Sequence, residues 1–428
     1  MQNAAWPSNG WTSSRSSICT AYAGREPVRT HRTDVNVQRP GGEPAGAGQL
    51  RLHNTALVLR ALRDAGPLSR TDLARHTGLA KATVGTIVFD LTSMGVVVDG
   101  SAERAPRGRP SRPVELTGDR FVALGIEANV DYVSAVALDL TGRTVLAEEH
   151  PVRSPTPGTL TDLTRQLADR LAGERRHLLG VAAAVPGLVD SSGTRVTHAP
   201  NLQWDDVDLA GSLHDALPDD IAVTVDNDAN CAALAEATHG AARGVDDVLY
   251  LTGTVGIGGG IVSGGAIVRG GFGYAGEVGH MRVGAADRRC GCGRVGCWEA
   301  VIGLRAMLDA VGGPAPDTGD PMAVAAEVAK RATEDERVRR GLADVAQWLA
   351  AGATILANAL NPSVIVLGGY FAPLGQWLLP HVRESLATGV FGEPDCRAEL
   401  STLGLRAAAI GAATQSLTAV YDGRVPLR

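Results

Sequence analysis

A histidine and three cysteines form the strongest chemical signal in this 428-residue chain. His280 precedes Cys290, Cys292 and Cys297, and the three thiols follow the spacing C-x-C-x4-C. One imidazole and three thiolates make up the donor set of a closed tetrahedral zinc site, and the glycines between the cysteines allow a tight loop. A chance cluster of buried cysteines is the alternative. Because four protein ligands leave no position for water, we expect one structural zinc ion per chain.

Carboxylate and amide side chains form a second group. Asp226, Asn227, Asp228 and Asn230 directly follow an apolar strand predicted over residues 221–225. Side chains at the carboxyl end of a strand point into the crevice where α/β proteins bind ligands, although Asn and Asp runs also cap helices. Glu277, three residues before His280, and Glu299, two residues after Cys297, could converge on that crevice. Carboxylates together with amides suit a polyhydroxylated ligand such as a sugar.

The first part of the chain has the pattern of a winged helix-turn-helix. A helical stripe capped by Asn54 ends at Gly66-Pro67, a short helix begins at the N-cap Ser69, and a third begins at Leu79. A strand over 96–98 and one over 114–116 flank a basic wing containing Arg104, Arg107, Arg109 and Arg112. We expect Lys81, Ala82, Thr83 and Thr86 to read bases, and Ser69, Arg70, Arg107 and Arg109 to hold phosphate or the wing's groove. A three-helix interaction module with a solvated basic face is the alternative.

Composition and charge set the wider organisation. With 44% hydrophobic and 20% charged residues, the chain is neither a disordered polymer nor a disulfide scaffold. Residues 1–120 carry 16 basic against 10 acidic side chains, and the remainder carries 24 against 36, so a basic front precedes an acidic body. We predict a disordered tail over 1–48, a winged helix over 49–116 and a two-lobed α/β body over 117–428. No apolar run reaches the ~20 residues of a membrane helix and no secretory signal is visible, so we expect a cytoplasmic protein without membrane contact.

Several motifs of the body resemble those of the ROK family of repressors and sugar kinases. They are G-E-V-G-H at 276–280, C-G-C-G-x-x-G-C-x-E at 290–299, V-D-N-D-A-N at 225–230, V-P-G-L-V-D at 185–190 and A-P-N-L at 199–202. A further run, N-P-x-x-I-V-L-G-G at 361–369, resembles the family's nucleotide-side segment. The resemblance covers residues 50–428 and implies an actin-like, ribonuclease-H-like pair of lobes with the ligand between them. The helix-turn-helix resembles that of the repressor branch.

The resemblance also implies roles for particular residues. The family's sugar contacts match six positions of this chain: Asn201, Asn227, Asp228, Glu277, His280 and Glu299. Asp228 matches the base of the kinases, and His280 would serve both sites, with one ring nitrogen on zinc and the other toward the sugar.

The phosphate-binding side departs from the kinase pattern. Where the kinases have an Asp-x-Gly-Gly-Thr hairpin, this chain has Glu127-Ala128-Asn129-Val130-Asp131, and Val255 replaces a hydroxyl residue in the second glycine loop. Phosphates need close backbone approach and hydrogen-bond donors, which these residues do not offer. We therefore expect no kinase activity.

The sequence thus favours a DNA-binding transcriptional regulator, a repressor, whose body senses a sugar or sugar phosphate. The alternatives are a sugar kinase with an attached DNA-binding domain and a zinc-stabilised interaction protein without a ligand. The expected partners are operator DNA, the sugar effector and further copies of the chain, in a homodimer or a dimer of dimers.

Overall fold

The computed structural model of the chain describes residues 47–100, 112–254, 256–284, 287–312, 320–392 and 395–427. Residues 47 and 48 are therefore the only described part of the predicted tail. Arg104, Arg107, Arg109 and Val255 also lie outside the described residues.

The N-terminal module has the predicted winged helix-turn-helix arrangement. Its elements are α1 (Ala47–Ala65), α2 (Arg70–Thr77), α3 (Lys81–Ser93), β1 (Val97–Asp99) and β2 (Val114–Leu116). The two strands pair antiparallel, which is the stem of a wing. Gly78 ends α2 with a φ of +71°, a left-handed conformation that favours glycine.

Two helix starts differ from the predicted positions. The prediction that Asn54 caps the first helix was wrong, because α1 begins at Ala47 and Asn54 lies inside it. The Ala, Gln, Leu and Arg residues before Asn54 have high helix propensity and no proline interrupts them, so the helix extends upstream. The third helix begins at Lys81 rather than Leu79, after Ala80, which gives no side-chain cap.

The first lobe is built on a five-stranded sheet. Its elements are β3 (Phe121–Ala128), β4 (Tyr132–Asp139), β5 (Thr144–Pro151), α4 (Pro157–Gly173), β6 (His177–Val185), β7 (Leu188–Val189), β8 (Val196–Ala199), β9 (Trp204–Val207), α5 (Leu209–His214), β10 (Ala222–Asn227) and α6 (Asp228–Thr238). The main sheet has the order β10-β6-β3-β4-β5, and β7, β8 and β9 form a separate antiparallel sheet. Strands β3, β6 and β10 are parallel, so their carboxyl ends lie at one edge.

The second lobe repeats this topology. Its elements are β11 (Val248–Gly253), β12 (Ile257–Ser263), β13 (Ala266–Ile267), α7 (Glu299–Ile302), α8 (Leu304–Val311), α9 (Pro321–Ala332), α10 (Glu336–Leu360), β14 (Val364–Gly369), α11 (Gly375–Gly389), β15 (Arg397–Leu400) and α12 (Ala407–Tyr421). The order β13-β12-β11-β14-β15 matches that of the first sheet: a three-stranded antiparallel meander followed by two parallel strands. The duplication confirms the predicted pair of ribonuclease-H-like lobes.

Helices α6 and α12 pack between the two sheets through small residues. A Cβ atom placed on Gly411 of α12 would lie only 1.7 Å from the carbonyl oxygen of Cys231 in α6, so the close contact requires glycine. The same helix α12 reaches the winged helix, because Ala413, Leu417 and Tyr421 share one hydrophobic core with α1, α2 and α3. Among the described residues, no helix is long and apolar enough to span a membrane.

Candidate functional site

The three cysteines lie in a loop that folds back on itself. The amide of Cys290 donates to the carbonyl oxygen of Arg294 at 2.8 Å, and Gly293 and Gly296 have φ values of +85° and +76°. These left-handed positions turn the chain sharply, so the predicted contribution of glycine at 293 and 296 agrees with the structure.

The donor atoms of His280, Cys290, Cys292 and Cys297 all lie within 4.8 Å of one another. The Sγ atoms of Cys292 and Cys297 are 3.7 Å apart, and Nδ1 of His280 lies 4.0 Å from Sγ of Cys290. Two thiolates that bind one tetrahedral zinc ion at about 2.3 Å have sulfurs roughly 3.8 Å apart. The cluster therefore has the geometry and donor chemistry to hold a metal ion.

His280 also connects the cysteine cluster to Glu277. Its Nε2 lies 4.0 Å from Oε2 of Glu277, on the opposite side of the ring from Nδ1. Burial raises the pKa of Glu277, and His280 opposes that shift. The imidazole thus faces the thiol of Cys290 with one nitrogen and the carboxylate of Glu277 with the other.

Glu299 connects the same cluster to strand β12. Its Oε1 accepts from the thiol of Cys290 at 3.3 Å, and its Oε2 accepts from the backbone amide of Ile257 at 3.0 Å. Glu299, the first residue of α7, thus contacts both the loop that carries the cysteines and β12. Both of its carboxylate oxygens are already engaged, and each keeps a lone pair that a ligand hydroxyl can use.

The carboxyl end of β10 holds Asn227 and Asp228 at the start of α6. The structure extends this strand two residues beyond the predicted end, so Asp226 and Asn227 lie within it. Asn227 caps α6, because its side-chain oxygen accepts from the amides of Ala229 and Asn230, while its amide donates to the carbonyl oxygen of Gly187 at 3.1 Å. Asn227 therefore caps a helix, which was the alternative role for this run of Asn and Asp residues, and it also lies at the carboxyl end of the strand.

Asn201 lies in a short turn of 3-10 helix between β8 and β9. Its side chain is exposed, and no hydrogen bond holds it among the residues described. A Cβ atom on Gly187 would lie 2.7 Å from that of Ala199, so the segment bonded to Asn227 packs directly beside the turn that carries Asn201. The fold thus brings the turn that carries Asn201 close to the segment that bonds Asn227.

Two residues that sequence reasoning did not select hold Asp226 in place. The guanidinium of Arg269 lies 2.5 Å from Oδ2 of Asp226, and the side-chain amide of Gln415 donates to the same oxygen at 2.5 Å. Asp226 is only 3% exposed, so its carboxylate has little contact with water, whereas the side chain of Arg269 stays partly exposed. Gln415 is the only amide side chain in the alanine-rich α12. This isolated polar residue was the feature of the sequence that could have identified it as a hydrogen-bond partner.

The hairpin between β3 and β4 carries a buried carboxylic acid. Glu127 is 4% exposed, and the hydroxyl of Tyr132 donates to its Oε1 at 3.1 Å. Burial, and secondly the nearby Asp228, raise the pKa of Glu127 to about 8, and burial raises that of Asp228 to about 7. In the same hairpin the amide of Val130 donates to the Asn129 side chain at 2.8 Å, so that amide is not free to hold a phosphate. Val130 itself packs against the core of the first lobe.

The winged helix presents its predicted base-reading residues to solvent. Lys81, Ala82 and Thr86 are exposed and Thr83 is partly exposed, whereas Val84, Ile87, Val88 and Leu91 are buried. Phe89, seven residues after Ala82, is 72% exposed and was not selected from the sequence. The exposed positions 82, 86 and 89 share one face of α3.

The predicted phosphate contacts of α2 are engaged within the module. Ser69 caps α2 by accepting from the amide of Asp72 at 3.1 Å, and Arg70 donates to Asp99 of β1 at 2.9 Å. An exposed pair such as Arg70 and Asp99 contributes at most about 1 kcal/mol, so a phosphate can replace the aspartate.

Comparison with known proteins follows the division seen in the fold. The model of the ROK family matches residues 123–418. The chain belongs to the ROK family. The model of a winged helix-turn-helix DNA-binding domain matches residues 53–98.

Curated ROK relatives include regulators of similar length. The xylose repressor of Bacillus subtilis strain 168 is 28% identical over 367 residues, which cover 84% of this chain and 93% of the repressor. The DNA-binding transcriptional dual regulator NagC of Escherichia coli K12 is 28% identical over 364 residues, covering 82% and 88% of the two chains.

Solved ROK structures support the same fold. A ROK family transcriptional regulator homologous to the E. coli MLC protein superposes with a TM-score of 0.75 at 23% identity, covering 87% of this chain and 97% of that one. A ROK glucokinase from Streptomyces griseus, in complex with glucose and AMPPNP, superposes with a TM-score of 0.57 at 28% identity, covering 69% and 98%.

Proposed function

We propose that this protein is a sugar-responsive DNA-binding transcriptional regulator, and specifically a repressor that releases its operator when the effector binds. The proposal is supported by the winged helix-turn-helix, the ROK body, and relatives described as a xylose repressor and a DNA-binding transcriptional dual regulator. The effector would bind at the residues carried from the family motifs, which are Asn201, Asn227, Asp228, Glu277, His280 and Glu299.

The observation that carries this proposal is the path of α12 through the molecule. Near its end, Tyr421 lies under the guanidinium of Arg63 in α1, at 4.8 Å from the ring centroid, and Asp422 pairs with Arg60 at 3.6 Å. Six residues before Tyr421, Gln415 bonds Asp226 beside the sugar residues. One helix thus contacts both the DNA-binding module and Asp226, next to the proposed sugar residues, and this continuity supports coupling between the two halves.

We propose that the cluster of His280, Cys290, Cys292 and Cys297 holds zinc. All four positions are protein ligands, so the ion would have a structural role and would fix the orientation of His280 toward the sugar. Zinc would supply no reacting group in this arrangement.

We further propose that the body is not an enzyme. The Val130 amide is bonded to the Asn129 side chain, and Asp131 stands at the position where the kinase hairpin has threonine. We expect the protein to act as a homodimer or a dimer of dimers, because two-fold operator half-sites require two DNA-binding modules.

The test begins with a selection of duplexes from a randomised pool by the purified protein, which yields a binding sequence. Affinity for that duplex is then measured with and without each member of a panel of sugars and sugar phosphates, in the parent and in Glu277→Ala. An effector should weaken DNA binding of the parent about 5- to 150-fold and have little effect on the variant, whose DNA binding without sugar should be intact. An equal response in both proteins would exclude this crevice as the effector site.

A further inference from the structure

We propose that Glu127 makes the ligand site selective for an unphosphorylated sugar, by accepting a terminal hydroxyl beside Asp228 and excluding the phosphate ester of the same sugar. The inference rests on the proposed sugar-sensing function and narrows its effector class to neutral sugars.

The register of the first sheet brings Glu127 to the ligand site. Glu127 pairs with Ala184 of β6, and Ala184 pairs with Asp226 of β10. Residues paired in register across parallel strands lie at the same level of a sheet, so Glu127 and Asp226 stand two strand spacings apart, roughly 10 Å between Cα atoms. Ala184 between them has only a methyl side chain. Asp228 follows two residues after Asp226, at the start of α6.

A directed hydrogen-bond chain orients the Glu127 carboxyl group. The amide of Asn129 donates to the hydroxyl oxygen of Tyr132 at 3.2 Å, and that hydroxyl donates to Oε1 of Glu127. The other oxygen, Oε2, is buried and has no hydrogen-bond partner within the described part of the chain. A buried polar atom without a partner is unfavourable, so a ligand hydroxyl that reaches this oxygen would form a hydrogen bond that the free protein lacks.

A sugar hydroxyl satisfies this position in either protonation state of the acid. A hydroxyl is both a donor and an acceptor, so it can donate to an ionised Glu127 or accept from a protonated one. A phosphate ester brings negative charge to the same position at neutral pH. When Glu127 is ionised, above its pKa of about 8, the carboxylate can neither donate to the phosphate oxygens nor balance their charge, so the ester would need cationic or N–H donors.

The charges around Glu127 are acidic. Asp228 and Glu149 face Glu127 and raise its pKa, Tyr132 lowers it by donating to it, and Glu277 faces Asp228. Arg269, a cation at this edge of the sheet, is bound to Asp226. Within the described ranges, no Lys or Arg side chain forms an ion pair with Glu127 or Asp228. The Val130 amide, which could have supplied a donor, is already bonded to Asn129.

The experiment compares each neutral sugar with the ester at its terminal hydroxyl, using calorimetry on the full-length protein. The probes are glucose, N-acetylglucosamine, mannose and xylose, together with glucose 6-phosphate, N-acetylglucosamine 6-phosphate, mannose 6-phosphate and xylose 5-phosphate. We expect the best neutral sugar to bind at least about 30-fold more tightly than its ester at pH 8. The ratio should fall as the pH is lowered from 8 to 7, a range in which the ester keeps most of its second charge, because protonation of Glu127 and Asp228 weakens the repulsion.

Glu127→Gln is the diagnostic variant, because it keeps the shape of the side chain and removes its charge. The ratio of ester to neutral affinity should rise at least about fivefold in this variant. Glu174→Gln, which removes a charge from an exposed position at the end of α4, should leave the ratio unchanged. If the variant does not fold, the pH dependence of the ratio in the parent still tests the proposal.

An ester that binds as tightly as its neutral sugar, or an unchanged ratio in a folded Glu127→Gln protein, would overturn this inference and leave the sugar-sensing function standing. Failure of every sugar and every ester to bind would instead contradict the proposed function itself.

Discussion

The side-chain amide of Gln415 in α12 lies 2.5 Å from Oδ2 of Asp226, although 189 residues separate them in the sequence. The same carboxylate accepts from Arg269 and from the Asn230 side chain at 3.0 Å, so four side chains meet at one buried point between the lobes. Arg269 lies in a loop of the second lobe, and α12 also packs against α1. We therefore expect this contact to connect the proposed ligand site with the DNA-binding module.

Replacement of Gln415 should uncouple the two halves. In Gln415→Ala the hydrogen bond to Asp226 is lost while Arg269 and Asn230 remain, so the protein should fold with a loss of about 1 to 3 kcal/mol. Sugar affinity should change less than about threefold, but the sugar-induced loss of DNA affinity should shrink to less than about twofold. Gln376→Ala, at an exposed position of α11, serves as the matched control. A full sugar response in Gln415→Ala would contradict the coupling role of this contact.

Removal of one thiol should empty the metal cluster. Cys292→Ser should reduce bound zinc from about one ion per chain to a small fraction of that amount. It should also lower the melting temperature, because the ion binds only the folded loop. Elemental analysis and thermal unfolding measure both effects. Cys396→Ser is the control, since that thiol lies outside the cluster and should keep full zinc content. Full zinc occupancy in Cys292→Ser would contradict the assignment of Cys292 as a zinc ligand.

The pH dependence of stability should carry the signature of Glu127. Its folded-state pKa of about 8 lies above the ordinary value of 4.5, so the folded protein binds more protons than the unfolded chain between those pH values. Stability must then fall as pH rises from about 5 to above 8. Glu127→Gln removes this loss and should be more stable than the parent at pH 8.5, by on the order of 1 to 3 kcal/mol, with a smaller or reversed difference at pH 5.5. Denaturant unfolding at the two pH values measures it, and equal slopes in both proteins would contradict a buried acid at this position.

A coupled assay of ADP release should detect no sugar kinase activity. The Val130 amide is bonded to the Asn129 side chain, and we expect Asp131, at the position of the kinase threonine, to add like charge beside a nucleotide phosphate. We expect turnover at least about a thousandfold below the 1 to 100 per second typical of kinases. Asp228→Asn is the control for the assay: sugar-dependent turnover in the parent that disappears in this variant would establish the kinase alternative.

Contacts of α3 and of the wing with DNA should differ in kind. Lys81→Ala should relax base preference at one position by about 1 to 3 kcal/mol, whereas Arg70→Ala and Arg109→Ala should weaken all duplexes alike and reduce the salt slope by about one. Arg165→Ala, on the surface of α4, is the control and should change neither quantity. Altered sequence preference with an unchanged salt slope in Arg109→Ala would reverse the roles assigned to helix and wing.

The sequence by itself determined the elements and the local chemistry. Cys290, Cys292 and Cys297 lie within eight residues of one another in the chain, so their thiols must be close in space. The cluster could therefore be predicted without knowledge of the fold. The helices α2 and α3 could be predicted for the same reason, because capping and hydrophobic period act within one or two turns. The start of α1 could not, since helix propensity upstream of Asn54 outweighed the capping signal.

Only the tertiary structure decided which distant residues lie together and which hydrogen bonds connect them. Glu127, Asp226, Arg269 and Gln415 come from separate elements, and their contacts depend on strand order, register and the crossing of α6 and α12. The sequence indicated that the hairpin at Glu127 lacks a phosphate site, but it gave no sign that Asn129 and Tyr132 orient the acid. Such contacts are set by packing between elements far apart in the chain, and no local pattern in a single sequence encodes them.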